Sequence, residues 1–187
     1  AITGDFPYAC APGIIGSTSS AYQVSAICGG KCPAGSYCPT KPTLQAMPCP
    51  AGHYCPESSS AGLPCPAGSY SNTSQLAQAS DCTAVDPGHF APTGSTAQVA
   101  CAKGTYTDAS MAVKDSCTPC TAGSYQDAEA STACQACDAG SYCPAGAAAA
   151  LPCAGGTYSS ATTNGASSDC TAVDPGHFAP TGSTAQV

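Results

Sequence analysis

Seven times along this chain a cysteine is followed three residues later by glycine and five residues later by tyrosine. The copies are Cys32-Pro-Ala-Gly-Ser-Tyr37, Cys49-Pro-Ala-Gly-His-Tyr54, Cys65-Pro-Ala-Gly-Ser-Tyr70, Cys101-Ala-Lys-Gly-Thr-Tyr106, Cys120-Thr-Ala-Gly-Ser-Tyr125, Cys137-Asp-Ala-Gly-Ser-Tyr142 and Cys153-Ala-Gly-Gly-Thr-Tyr158. Two more keep the glycine but carry Val for Cys and Phe for Tyr, Val85-Asp-Pro-Gly-His-Phe90 and Val173-Asp-Pro-Gly-His-Phe178, and Cys10-Ala-Pro-Gly-Ile-Ile15 is a diverged first copy. Units of 16 to 22 residues cannot each bury a face of their own, so the fold is constrained to an array in which neighbours cover one another.

What holds such units together follows from what the chain lacks. Leu, Ile, Val and Phe together make only 17 of 187 residues and Trp is absent, a level at which a chain is suspected of disorder. Apolar burial cannot offset the conformational entropy of folding here, and the 16 cysteines are the available substitute. They place the chain in an oxidising compartment. Only four basic residues, Lys31, Lys41, Lys103 and Lys114, stand against eleven acids, and a net charge of -7 excludes a phosphate-binding surface as the leading reading. No apolar run approaches the roughly 20 residues of a membrane span, and none reads as a signal peptide. A start at Ala1 is compatible with a mature end left by signal cleavage.

A longer period lies over the short one. Residues 80–99 are identical to residues 168–187, an offset of 88 that equals five units. The organisation read from the sequence is a diverged N-terminal unit (1–31), three cysteine-rich units (32–84), a five-unit super-repeat (85–172) and a partial unit (173–187) repeating 85–99. Because the earlier copy runs on into Ala100 and Cys101, the chain is expected to continue past Val187 in the natural protein.

The cysteines follow a two-case rule. In a long form the second cysteine lies three residues before the next unit, as for Cys65 with Cys82, Cys101 with Cys117, Cys120 with Cys134 and Cys153 with Cys170. In a short form it directly follows the tyrosine, as for Cys32 with Cys38, Cys49 with Cys55 and Cys137 with Cys143. No unit has both. The Val85 unit has lost its first cysteine and both candidate partners, replaced by Ala91 and Gln98, which is expected if paired cysteines vanish together. Adding Cys10 with Cys28, the rule predicts eight sequential disulfides.

Within a unit, the glycine fits a turn that needs a positive φ or a close backbone approach, and the Pro before it presets the chain for that turn. The aromatic then opens a short strand. The expected fold is a small disulfide-rich array, mostly β-hairpin and loop with essentially no helix, in which each Tyr or Phe packs on its disulfide and on the next unit. Ten units at about 10 Å each, two strand spacings per unit, would make an elongated linear stack on the order of 100 Å long. Ala145–Ala150 is the one helix-like stretch, and Gly146, Pro144 and Pro152 break it.

Cys-Pro-Ala-Gly-Ser-Tyr-Cys-Pro, and Cys-x-x-Gly-x-Tyr with a cysteine 14 to 17 residues after the first, resemble the ephrin-receptor-like cysteine-rich repeats. They are also similar to the first half-module of tumour-necrosis-factor-receptor cysteine-rich domains. The resemblance covers the chain from Cys32 and implies module type and an extracellular location, since such modules occur in receptors, protist surface antigens and extracellular fibres. A flagellar-hair (mastigoneme) glycoprotein is one such protein. The cysteine-free Val85 and Val173 units and the irregular Cys10–Cys28 unit depart from the pattern.

Residues of the types that carry chemistry read as structural. Cys117-x-x-Cys120 followed by Cys134-x-x-Cys137 has nearly a zinc-ribbon spacing, but it arises wherever two units meet with cysteine at both facing positions. Asp127 and Glu129, and Asp86 and Asp174, lack the alternating oxygen ligands of a calcium loop. His53, His89 and His177 share a slot that elsewhere holds Ser or Thr, and so read as a solvated site at the turn. No catalytic residue, metal or cofactor is expected. Asn72-Thr-Ser74 is an N-glycosylation sequon, and the Ser/Thr clusters at 17–20 and 159–163 suit O-glycans. The leading expectation is a structural subunit of an extracellular filament, flagellar hair or surface coat, partnered by copies of itself or related extracellular proteins. The alternative is a spacer or ligand-binding ectodomain of a receptor or adhesion protein.

Overall fold

A computed structural model describes residues 13–16, 30–39 and 45–187. Among them every strand belongs to a two-stranded antiparallel hairpin, and helix is confined to two single 3₁₀ turns, Ala79–Asp81 and Ser167–Asp169. In each hairpin the first strand is the aromatic and the residue before it, with Ile14–Ile15 taking that place in the first. The second strand ends one residue before the next unit's first position. Ser36–Tyr37 thus pairs with Met47–Pro48, with Tyr37 opposite Met47, and Thr157–Tyr158 pairs with Thr171–Ala172, with Tyr158 opposite Thr171.

Two-residue strands contribute little alone, so neighbouring hairpins must supply the missing hydrogen bonds. Each does so through the same set. The first-position amide of one unit donates to the glycine carbonyl of the unit before (Cys49 to Gly35, 3.0 Å), and that glycine amide donates to the carbonyl after the next aromatic (Gly35 to Cys55, 2.8 Å). The amide after the aromatic then donates into the next unit's loop (Cys38 to Ser59, 2.9 Å), and that loop answers to the first-position carbonyl (Ser58 to Cys32, 2.8 Å). The first two bonds recur at every junction from Gly13 to Ala179.

The glycine is required twice over. Gly35 has φ of 80°, and a Cβ there would lie 2.6 Å from the Gln75 carbonyl oxygen, two units further on. The same approach to a carbonyl two units on recurs at Gly52, Gly88, Gly104, Gly123 and Gly140.

The deepest burial is at the first position and at the residue after the aromatic: Cys32, Cys38, Cys49, Cys55, Cys65, Cys101, Cys143 and Cys153 are at 0% exposure. Disulfides are the core, and the tyrosines are half-buried beside them. The chain forms two compact units, residues 1–85 with 91–98, and residues 86–90 with 99–187. The division falls inside the cysteine-free hairpin because a unit's turn engages the units after it while its loop engages those before. Gly88 bonds Thr107 at 2.8 Å, and Gly94 bonds Cys65 at 2.9 Å.

Candidate functional site

Seven disulfides join Cys32–Cys38, Cys49–Cys55, Cys65–Cys82, Cys101–Cys117, Cys120–Cys134, Cys137–Cys143 and Cys153–Cys170, all with Cα separations of 5.7 to 6.0 Å. These are the sequential pairs the spacing predicts; Cys10 and Cys28 lie outside the described residues. All four sulfurs of the zinc-ribbon-like motif are thereby engaged in disulfides, Cys120 with Cys134 inside the motif, and Cys117 with Cys101 and Cys137 with Cys143 outside it.

The two forms differ in how they fill one slot. The residue after the aromatic is buried in both. In the short form this slot holds the second cysteine. In the long form it holds a polar residue whose hydrogen-bonding groups find partners nearby. Thr107 Oγ1 donates to the His89 carbonyl at 2.9 Å, Gln126 Nε2 donates to the Ala133 carbonyl at 2.6 Å, and Ser71 Oγ donates to the Thr73 carbonyl at 3.0 Å. Ser159 Oγ accepts from the Ala161 amide at 3.3 Å. Burial of these polar groups costs little because they are satisfied.

The cysteine-free units fill the same slots apolarly, with Val85 at 5% exposure and Ala91 at 0%. In the Val173 unit a side-chain clamp stands where the long-form disulfide would be. Gln186 Oε1 accepts from the Asp174 amide at 2.8 Å, and Gln186 Nε2 donates to Asp174 Oδ2 at 2.7 Å.

The slot before the aromatic is not the solvated turn tip expected from its mixture of Ser, Thr and His. It is a half-buried strand residue whose side chain clasps the preceding turn. Ser69 Oγ bonds the Pro66 carbonyl and Thr157 Oγ1 the Ala154 carbonyl, both at 2.7 Å. His53 Nδ1 lies 3.2 Å from the Ala51 carbonyl and His89 Nδ1 3.3 Å from that of Pro87, while His177 is exposed. His53 and His89 share this local geometry, while His177 keeps the solvated position expected of it.

Two carboxylates are held below the ordinary aspartate value. At Asp81 the main cause is the Ala77 amide, followed by the Gln78 amide, both bonded to Oδ2 at 2.9 and 3.0 Å. At Asp108 it is the Ser110 hydroxyl, then the Ser110 amide. Asp169 repeats the Asp81 clamp 88 residues later, accepting from Gly165 and Ala166 at 2.8 and 3.0 Å, so the long period is preserved down to individual bonds. Asp127 accepts from Gln135 at 3.3 Å, and no group of three or more His, Cys, Asp or Glu is placed to hold a metal among the described residues.

Asn72 is exposed at a bend whose base is fixed by Ser71, with the Thr73 amide donating to Ser71 Oγ at 3.2 Å. Met47, Leu63, Val99 and Leu151 occupy the position opposite the aromatic and are 43 to 50% exposed. They occur in the short-form and cysteine-free units. In the long form that position is Thr83, Thr118, Gln135 or Thr171, next to the second cysteine. An open groove of about 540 Å³ is lined by Tyr106, Asp108, Thr121, Ser124, Thr132 and Thr163 among others.

A second turn escaped the sequence reading. The loop after the aromatic passes through a left-handed residue at Ser58, Gln75, Gly94, Ala130, Gly146 and Gly182. Its signal was present in the Pro-Thr-Gly of 92–94 and 180–182 and the Pro-Ala-Gly of 144–146, but half the copies use a residue other than Gly. No protein-family model and no curated protein matches this chain. No helix of the described residues is long and apolar enough to cross a membrane.

Proposed function

We propose that the chain is a structural subunit of an extracellular filament, flagellar hair or surface coat, acting through repeat stacking and self-assembly. The observation that carries this is the exact return of the 80–99 segment at 168–187 together with its Asp81 and Asp169 clamps. A ligand-reading site needs one distinctive patch, whereas faces recurring at a fixed period suit contacts with copies of the same chain. The seven disulfides support an oxidising compartment, and the resemblance to ephrin-receptor-like repeats supports the cell exterior. Asn72, exposed in its sequon, is the proposed attachment point for an N-glycan.

Electron microscopy of the oxidised protein over a range of concentrations, with sedimentation velocity alongside, tests the reading. Fibres or sheets and a sedimentation coefficient rising with concentration are the expected result. A monomer at every concentration would overturn it and leave the spacer of a receptor or adhesion protein as the reading.

A further inference from the structure

The disulfides fall into two classes by what surrounds their ends. In the short form both cysteines are buried: Cys32, Cys38, Cys49, Cys55 and Cys143 at 0% exposure and Cys137 at 1%. In the long form the first cysteine is equally deep, at 0 to 1%, but the second is not. Cys82, Cys117, Cys134 and Cys170 are only half-buried, because each leads into the outer strand of its hairpin beside exposed Thr83, Thr118, Gln135 or Thr171. Thiol–disulfide exchange requires a thiolate to reach a sulfur. The folded long-form units offer a route to one; the short-form units offer none until the turn opens.

We propose that the four long-form disulfides are a redox-sensitive set that small thiols open in the folded protein, while the three short-form disulfides are protected. A thiolate of the reductant attacks Sγ of Cys82, the bond to Cys65 breaks, and the electron pair leaves on Cys65 Sγ, which takes up a proton. A second reductant thiolate attacks the mixed disulfide and releases Cys82 as thiol. The reductant departs as its own disulfide, two electrons having passed to the protein. Burial of the departing cysteine slows both classes alike, so access decides between them.

The device frees whole loops while leaving turns intact. The long-form bonds span 14 to 17 residues, and each short-form bond spans six. The slot after the aromatic does not depend on the long-form bond, since Ser71, Thr107, Gln126 and Ser159 already have their hydrogen bonds. A mild reductant would therefore loosen the array by loops and keep its short-form staples. This holds whether or not the chain builds a filament.

The test treats the folded, oxidised protein with dithiothreitol at neutral pH, quenches with acid at timed intervals, alkylates, and maps the labelled cysteines by mass spectrometry. The four long-form pairs are expected to open at least about tenfold faster than the three short-form pairs. Short-form pairs opening as fast, or all seven opening in one step, would overturn the proposal. In guanidinium chloride the difference should shrink to about threefold or less, since burial is then gone. A full difference persisting there would assign it to loop size and overturn the proposal equally.

Discussion

Gly123 and Gly156 hold the same place in their hairpins, with φ of 86° and 83°. Alanine at either imposes the same left-handed penalty, about 1–2 kcal/mol. Their surroundings differ: a Cβ on Gly123 would stand 2.5 Å from the Thr163 carbonyl oxygen, whereas one on Gly156 would meet nothing within 4 Å. The Thr163 carbonyl cannot retreat freely. The next residue, Asn164, accepts from the Cys143 amide at 2.8 Å and donates from Nδ2 to the Ser141 carbonyl at 2.8 Å. Displacing that segment costs these two bonds at about 0.5–1.5 kcal/mol each, so Gly123→Ala should cost about 2–5 kcal/mol in all against about 1–2 for Gly156→Ala. For a chain of this size each kcal/mol lowers Tm by about 2–4 °C, giving falls of about 4–20 °C and about 2–8 °C respectively. Calorimetry of both variants under non-reducing conditions measures the difference. Falls that agree within about 2 °C would refute the claim that glycine is needed for the contact between units two apart.

Other consequences are as direct. Val85→Cys with Ala91→Cys recreates the short-form spacing of six, and the new bond should form in air and add about 2 kcal/mol, read as a higher guanidinium midpoint. Asp81 and Asp108, held low by hydrogen bonds to the charged form, should titrate below ordinary aspartate in an NMR pH series. A depressed carboxylate stabilises the fold above the unfolded pKa, and that contribution disappears as pH falls through the folded value, so the Ala77 and Gln78 amide shifts should move with Asp81 on acidification. Asn72→Gln should abolish any mass lost on peptide N-glycosidase treatment of the protein secreted from a eukaryotic host.

How much of this was legible in the sequence differs from one residue class to the next. The pairing rule was visible because the short and long forms exclude each other in every unit, and the Val85 unit lost its cysteine positions together. The first-turn glycine was visible because all ten copies keep it. What it does beyond φ was not: the approach of the Gln75 carbonyl to Gly35 joins residues forty apart, and no local pattern encodes a contact two units away. The second turn was obscured because Ser58, Gln75 and Ala130 tolerate a left-handed φ that glycine would advertise. The His, Ser and Thr slot misled for a related reason. Each of these side chains bonds a backbone carbonyl two or three residues back, so chemically different residues serve one geometric end and mimic an unconstrained surface position. Likewise, Ser71, Thr107, Gln126 and Ser159 look like surface residues in sequence, and their burial follows only from the slot being shared with Cys38, Cys55 and Cys143.

Disulfides do the work of a hydrophobic core in holding hairpin to hairpin. Amide hydrogen exchange on the oxidised protein, and on protein fully reduced and alkylated in denaturant and then returned to buffer, tests it most directly. The amides of Gly35, Cys49, Gly104, Cys120, Gly123 and Cys137, which carry the bonds between units, should be protected in the oxidised chain and exchange at unfolded rates in the reduced one. Protection retained at those amides after reduction would contradict the account, because the stack would then be held by something other than its sulfur.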